Sequence, residues 1–322
     1  MRCLICGSGS LEERYTAVRD HFGVVPGEFR FLGCNACGSL SLDPVPAAES
    51  IATLYPREYT FRAADTSEPA IRRLLRAIEW RLFYRPQYHG RLRTIRRLTG
   101  LGAGRALEVG SGSGLFLRLL VEAGFEGRGL DISREDVAYA RERLGLAVTE
   151  GDLATAASLD ARYDLVLMFY VLEHVPDPVE LVRSACALLA PGGWLVAAVP
   201  VIDSLQSRLF GARWSQVTEA PRHITLPSRA GLVRMLAAAG FTDVRWGAMP
   251  LLDNAGVIVM SLLPGAATPQ AYGRGATLAP LVRRFAAGLL LPPALLAAFA
   301  ERLPLGPGPG MTMVCARKRP SP

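Results

Sequence analysis

Four cysteines near the start of the chain come in two pairs, Cys3-x-x-Cys6 and Cys34-x-x-Cys37, each followed by a glycine, Gly7 and Gly38. Two such pairs supply four thiolates for one tetrahedral ion, and the glycine lets the backbone turn tightly enough for amide N–H groups to point at sulfur. The pattern predicts a zinc ribbon over residues 1–44, with Cys3, Cys6, Cys34 and Cys37 as ligands to a structural zinc. The 27 residues between the pairs exceed the roughly 15–20 of common ribbons, but Glu28 to Leu32 reads as a strand leading into the second pair. Iron takes the same four thiolates, and a reducing compartment argues against disulfides. Cys186 and Cys315 lie in apolar runs and read as small buried hydrophobes.

The second constellation is acidic. The run Ala106-Leu-Glu108-Val109 leads straight into Gly110-Ser111-Gly112-Ser113-Gly114, a turn that lets a ligand lie against bare backbone at the carboxyl end of a strand. A dinucleotide fingerprint would place its third glycine where Leu115 stands, so that reading fails. A carboxylate at Glu108 would repel a pyrophosphate but suits a cationic amino-acid moiety. Asp131 ends the next predicted strand, where a carboxylate can accept two ribose hydroxyls. Asp152 follows the third strand and is placed for an adenine amino group. Each acid alone would read as a helix cap or a turn residue; three after three successive strands point to one ligand.

The elements that must hold these residues alternate. Arg105–Val109, Arg128–Ile132, Leu146–Thr149, Tyr163–Tyr170 and Trp194–Val199 read as strands, and Leu115–Ala123, Arg134–Leu144 and Pro178–Leu189 as helices. Such alternation gives a mostly parallel sheet covered on both faces. The 322 residues, half of them apolar, exclude a disordered or coiled-coil chain. The net charge of +7 comes from 35 arginines and the single Lys318. So uniform a choice of basic residue reflects base composition better than contacts to nucleic acid.

With these residues in place, the chain resembles the class I S-adenosylmethionine-dependent methyltransferases, in the branch carrying an amino-terminal four-cysteine ribbon. Residues 1–247 and the run Met311–Ala316 carry the resemblance, through Glu108-x-Gly110-x-Gly112-x-Gly114, Asp131, Asp152 and Val171-Leu-Glu173-His174-Val-Pro-Asp177-Pro178. It implies an α/β, Rossmann-like seven-stranded sheet whose last strand is antiparallel. It also implies S-adenosylmethionine as cofactor, held by Glu108, Gly110, Ser111, Gly112, Gly114, Asp131, Ile132, Asp152, Leu153 and Phe169. The expected domains are the ribbon (1–44), a linker with Arg-rich helices (45–99), the core (100–247), an apolar helical insertion or lid (248–310) and the final strand with its tail (311–322).

Methyl transfer to a hydroxyl needs in-line geometry and a group to take the proton, and histidine titrates near neutrality. Of the four histidines, His21 falls in the ribbon and His89 in the basic helices. Of the catalytic candidates His223, His174 and Glu173, His223, in a loop after the fifth core strand, is the leading base, with His174 second and substrate positioning without base catalysis the other alternative. His174, with Glu173 as companion, is rather expected to hold the loop together near the donor. Trp214 and Arg222 either line the acceptor pocket or brace it. The expected reaction is O-methylation of a sugar, glycolipid or secondary-metabolite precursor. C-methylation of a nucleotide sugar is the alternative. RNA methylation ranks lower, because Phe169-Tyr-Val-Leu-Glu-His174 replaces the Asn/Asp-Pro-Pro-Tyr/Phe motif of amino-methylating enzymes.

Between Ile71 and Leu98 lie nine arginines and one glutamate, with Ile71, Leu74, Leu75, Ile78 and Leu82 at helical spacing. Pro86 is expected to start a second helix. The insertion's runs, Val257–Leu263 and Leu278–Leu303, are too apolar to lie bare on a soluble monomer. They cap the acceptor pocket, form an oligomer interface, or give peripheral membrane contact through residues 251–303. Pro292 and Pro293 are expected to interrupt the longest apolar stretch. No signal-like segment opens the chain, so the expected location is cytoplasmic.

Overall fold

The computed structural model describes residues 1–55, 70–153, 162–264, 278–304 and 306–320. Parts of the expected linker and insertion (56–69, 265–277 and 305) lie outside the described residues.

The core is a seven-stranded sheet built from β4 (Gly104–Val109), β5 (Phe125–Asp131), β6 (Val148–Glu150), β7 (Tyr163–Phe169), β8 (Leu189–Pro200), β10 (Phe241–Ala248) and β11 (Met311–Lys318). Its spatial order is β10-β11-β8-β7-β4-β5-β6. β11 runs antiparallel to both neighbours, while β4 to β8 pair in parallel. Both faces of the central strands are buried, so Leu165-Val-Leu-Met168 and Leu195-Val-Ala-Ala-Val199 are apolar throughout rather than alternating.

Helices close the crossovers: α3 (Leu115–Glu122), α4 (Arg134–Leu144), α5 (Pro178–Leu188), α6 (Leu205–Phe210) and α7 (Arg229–Ala238). Their starts follow from the sequence. Ser133, Asp177, Ser204 and Ser228 each accept a backbone N–H from the first turn of the helix they precede. Gly145 ends α4 in the left-handed conformation, at φ 66°.

The amino-terminal strands β1 (Leu11–Val18), β2 (Phe29–Cys34) and β3 (Leu40–Asp43) form a second sheet, completed by β9 (Thr225–Leu226) from the distant loop after α6. The ribbon is thus joined to the core through β9.

Of two expectations at prolines, the helix start at Pro86 holds and the interruption at Pro292 and Pro293 is corrected. Residues 70–99 form one continuous rod: α1 (Ala70–Glu79), a π-helical turn (Trp80–Tyr84) and α2 (Arg85–Thr99). Pro86 sits in the first turn of α2, and the wider π turn carries the chain past it without a break. The insertion contributes α8 (Leu251–Leu262) and α9 (Leu278–Ala300), and α9 runs through Pro292 and Pro293. Both prolines are on the exposed side, while Ala294 and Ala298 pack against Ala255, Ile258 and Val259 of α8. That contact holds the helix together across the lost hydrogen bonds.

Candidate functional site

β4 delivers Glu108 and the turn 110–114 to the carboxyl edge of the sheet. Gly110, Gly112 and Gly114 all have positive φ, at 68°, 51° and 77°. A Cβ on Gly110 would lie 2.5 Å from Val171 Cγ2, so glycine is required for space as well as conformation. Asp131 closes the crevice: Oδ2 accepts from Gly112 N at 2.6 Å and Oδ1 from Ser133 N at 2.8 Å. Each carboxylate oxygen keeps a lone pair for a ligand hydroxyl.

Glu108 is buried, and Oε2 has no hydrogen-bond partner. Burial pushes its carboxyl up to about 8, against the pull of the nearby Arg91 guanidinium. An orphaned carboxyl oxygen behind a glycine turn is what a cationic ligand group would satisfy. Ile132 is 59% exposed beside Asp131 and presents an apolar surface at the crevice. Ser111 and Leu153 are buried and Asp152 is exposed. Residues 154–161, which follow, lie outside the described residues. Phe169, at the end of β7, meets Phe116 edge-on at 4.9 Å.

Arg91 was not apparent from the sequence. Its side chain is almost wholly buried, donates to Asp253 Oδ1 on α8 at 2.7 Å and to the Tyr170 hydroxyl at 3.3 Å, and lies over the rings of Tyr88, Phe169 and Tyr170. It therefore ties the Arg-rich rod, the insertion and the post-β7 segment together beside Glu108.

His174 and His223 meet with ring centroids 4.7 Å apart, and Glu173 lies buried beside them. His174 Nδ1 is 3.1 Å from Arg222 O, and His223 Nδ1 is 2.7 Å from Gln216 O. A carbonyl only accepts, so Nδ1 carries the proton in both rings and Nε2 holds the lone pair. Burial drives both imidazoles down to about 3, helped for His174 by the neighbouring His223. His223 Nε2 stands 3.7 Å from Glu219 Oε2. Glu173, pushed up to about 8 by burial, leaves Oε2 without a partner.

Arg222 and Trp214 are braces. The Arg222 side chain has no exposed surface and forms a two-pronged ion pair with Asp20 of the β1–β2 loop, at 2.5 and 3.2 Å. Trp214 is fully buried and donates to Gln206 Oε1 at 3.3 Å. His21, assigned by sequence position to the ribbon alone, packs into this region: its Nδ1 is 3.1 Å from Thr218 Oγ1. His89 lies on the exposed rod. Tyr55 is a further residue that sequence reasoning missed. Its ring is 5.9 Å from His174, and its phenol is held above its ordinary range by burial, with the charges of Glu219, Glu173 and Asp131 adding to that effect.

Two side-chain sets could hold a metal. The sulfurs of Cys3 and Cys37 are 3.7 Å apart, those of Cys6 and Cys34 3.6 Å, and all four lie within 4.8 Å of one another. Tetrahedral zinc with Zn–S near 2.3 Å requires sulfurs roughly 3.8 Å apart, so the donor set fits. Gly7 N and Gly38 N close the two turns onto Cys3 O and Cys34 O. Glu173, His174 and His223 also offer three ligand atoms within 4.8 Å.

A parallel sheet with a glycine turn after its first strand and an acid ending its second defines the class: a Rossmann-like α/β fold with its ligand crevice at the carboxyl edge. A family model described as a methyltransferase domain matches residues 65–245, more than half of the sequence. The chain belongs to that family.

Curated relatives include ubiquinone biosynthesis O-methyltransferases. That of Bordetella avium is 37% identical over 115 residues, covering 33% of this chain and 46% of its own. That of Proteus mirabilis is 38% identical over 103 residues, covering 30% and 42%. The chain spans about half the length of the curated relatives it matches. Among solved structures, it is similar to a SAM-dependent methyltransferase from Archaeoglobus fulgidus, at 21% identity and TM-score 0.47, over 75% of this chain and 98% of that one.

Proposed function

We propose that this protein is an S-adenosylmethionine-dependent methyltransferase acting on the hydroxyl of a small molecule, with a zinc ribbon supporting the acceptor side. The observation that carries this reading is the crevice at the carboxyl edge of the sheet, where a positive-φ glycine turn lies between the unpartnered Glu108 Oε2 and the Asp131 carboxylate that ends β5.

The residues that would hold the donor are Glu108 at its ammonium group, Gly110–Gly114 against its backbone-facing side, Asp131 at its ribose, and Ile132, Asp152, Leu153 and Phe169 around its base. When bound, the sulfonium supplies an electrophilic methyl group. On the acceptor side, burial leaves His223 neutral and weakly basic, and its Nε2, 3.7 Å from Glu219 Oε2, would take a hydroxyl proton only as that carboxylate raises its basicity. Glu219 stands close enough to stabilise the imidazolium that forms. His174 and Glu173 position that ring, and Arg222 fixes their loop against Asp20. The four cysteines would bind zinc as thiolates and hold the ribbon folded.

The test is calorimetric titration of the purified protein with S-adenosylmethionine, with metal content measured on the same sample. Micromolar binding and one zinc per chain support the reading; a folded, metal-loaded protein that does not bind the donor refutes it.

A further inference from the structure

Exposed large hydrophobic side chains are concentrated rather than scattered. Of the eighteen on the described surface, ten fall on two helical segments. On the rod these are Ile71, Leu74, Ile78, Leu82 and Phe83, between 41% and 62% exposed. The first four follow i, i+3, i+7, i+11 spacing and form one stripe. Among the described residues, the rod buries no side chain before Arg91. On α9, Val282, Phe285, Leu289, Leu296 and Phe299 form a second stripe, continued by Leu303 in the turn after it. It lies opposite the side where Ala294 and Ala298 pack on α8.

Stripes of this size mark an interaction surface. Among the described residues no helix is long and apolar enough to cross a membrane. The occupant is indicated by charge. Nine arginines against one glutamate lie between Ile71 and Leu98, and Arg73, Arg81, Arg85 and Arg93 are exposed. A second copy docked on this face would bring the same arginines against themselves, because a two-fold interface is self-complementary. An apolar stripe flanked by arginine, on a helix too polar to insert, is the signature of a helix lying in the headgroup layer of an anionic bilayer.

We propose that the protein binds anionic phospholipid surfaces through the apolar stripe of residues 71–83, with the outer face of α9 as a second point of contact. This surface stands independently of the methyltransferase reading, and its test measures binding rather than turnover.

The experiment is flotation of the full chain with vesicles of phosphatidylglycerol and phosphatidylcholine in equal parts, against pure phosphatidylcholine, at low and high salt. The protein should float with the anionic vesicles only, and release at high salt. Substitutions L74E/I78E and, separately, F285E/L289E should each lower vesicle affinity at least tenfold. R73Q/R81Q should lower it roughly thirtyfold, at about 1 kcal/mol per arginine. Melting temperature and S-adenosylmethionine affinity check that each variant is folded; should an apolar-to-charged variant unfold, R73Q/R81Q decides. Equal binding to neutral and anionic vesicles, binding to neither, or a soluble dimer that L74E/I78E converts to monomer would each overturn the proposal.

Discussion

Ser41 of the ribbon and Thr225, two residues beyond His223, are paired antiparallel in one sheet. Leu40 pairs with Leu226, Leu42 N donates to Ile224 O, and Ser228 Oγ donates to the carbonyl of Cys37. The segment holding the histidine pair is therefore built partly from the cysteine ribbon, and the fate of one is tied to the other.

Metal removal should consequently reach the site. Stripping zinc with a thiol reagent and chelator is expected to lower the melting temperature by about 10 °C or more, since structural zinc contributes folding free energy directly. It should also shift the imidazole NMR signals of His223 and His174. A ribbon that melts while those signals stay fixed would show the two parts to be independent.

The sequence shows the sheet well because its strands are buried on both faces and its crossovers are short and capped. Glu108, Gly110 and Asp131 are legible because they sit at strand ends, where the ligand crevice must form. The coupling through β9 is not, because a two-residue strand carries no periodicity and its partner lies about 185 residues away in the chain. Arg91 is hidden among eight other arginines of the rod, and its partners, Asp253 from the insertion and Tyr170 after β7, are distant in sequence. Tyr55 follows a short 3-10 turn (Ala48–Leu54) with no pattern of its own.

The Asp20–Arg222 pair makes a separate prediction. Burial pushes the Asp20 carboxyl up, but the Arg222 guanidinium and the backbone N–H groups of Val25 and Phe22 outweigh it and hold the group below its usual value. Asp20→Ala leaves a guanidinium buried without its carboxylate, which costs about 3–5 kcal/mol. Urea unfolding should register that loss; a change under 1 kcal/mol would mean that Glu219, 3.7 Å from Arg222 Nε, takes over as its partner.

Asp131→Ala should weaken S-adenosylmethionine binding by about 1.5–3 kcal/mol, the worth of a charge-assisted hydrogen bond. Titration calorimetry measures it directly. Because Asp131 also holds Gly112 and Ser133, Asp131→Asn is the milder variant: its amide oxygen keeps one of those two N–H bonds, while its amide nitrogen faces the other donor and the charge is lost. Unchanged affinity in both variants would place the ribose elsewhere.

If His223 takes the hydroxyl proton, His223→Ala should lower turnover by about a hundredfold or more while donor affinity stays the same. Should turnover survive, the role of the residue is positioning, and the proton leaves by another route.

Glu173 and His223 oppose one another in the dependence of stability on pH. His223 is neutral when folded, with its value depressed to about 3, so the unfolded chain binds more protons and stability is lost as pH falls from about 6.5 toward 3. Glu173 is raised to about 8, so the folded chain holds the extra proton and stability is lost as pH rises from about 4.5 toward 8. Above pH 6.5 only the carboxyl effects remain, and Glu173→Gln removes one of them by keeping the group neutral. The variant should therefore melt several degrees above the parent at pH 8.5, at roughly 2–4 °C per kcal/mol, and the gain should shrink as pH falls to 5. Thermal melts of both proteins across that range decide it: a gain independent of pH would mean that Glu173 does not change ionisation on folding.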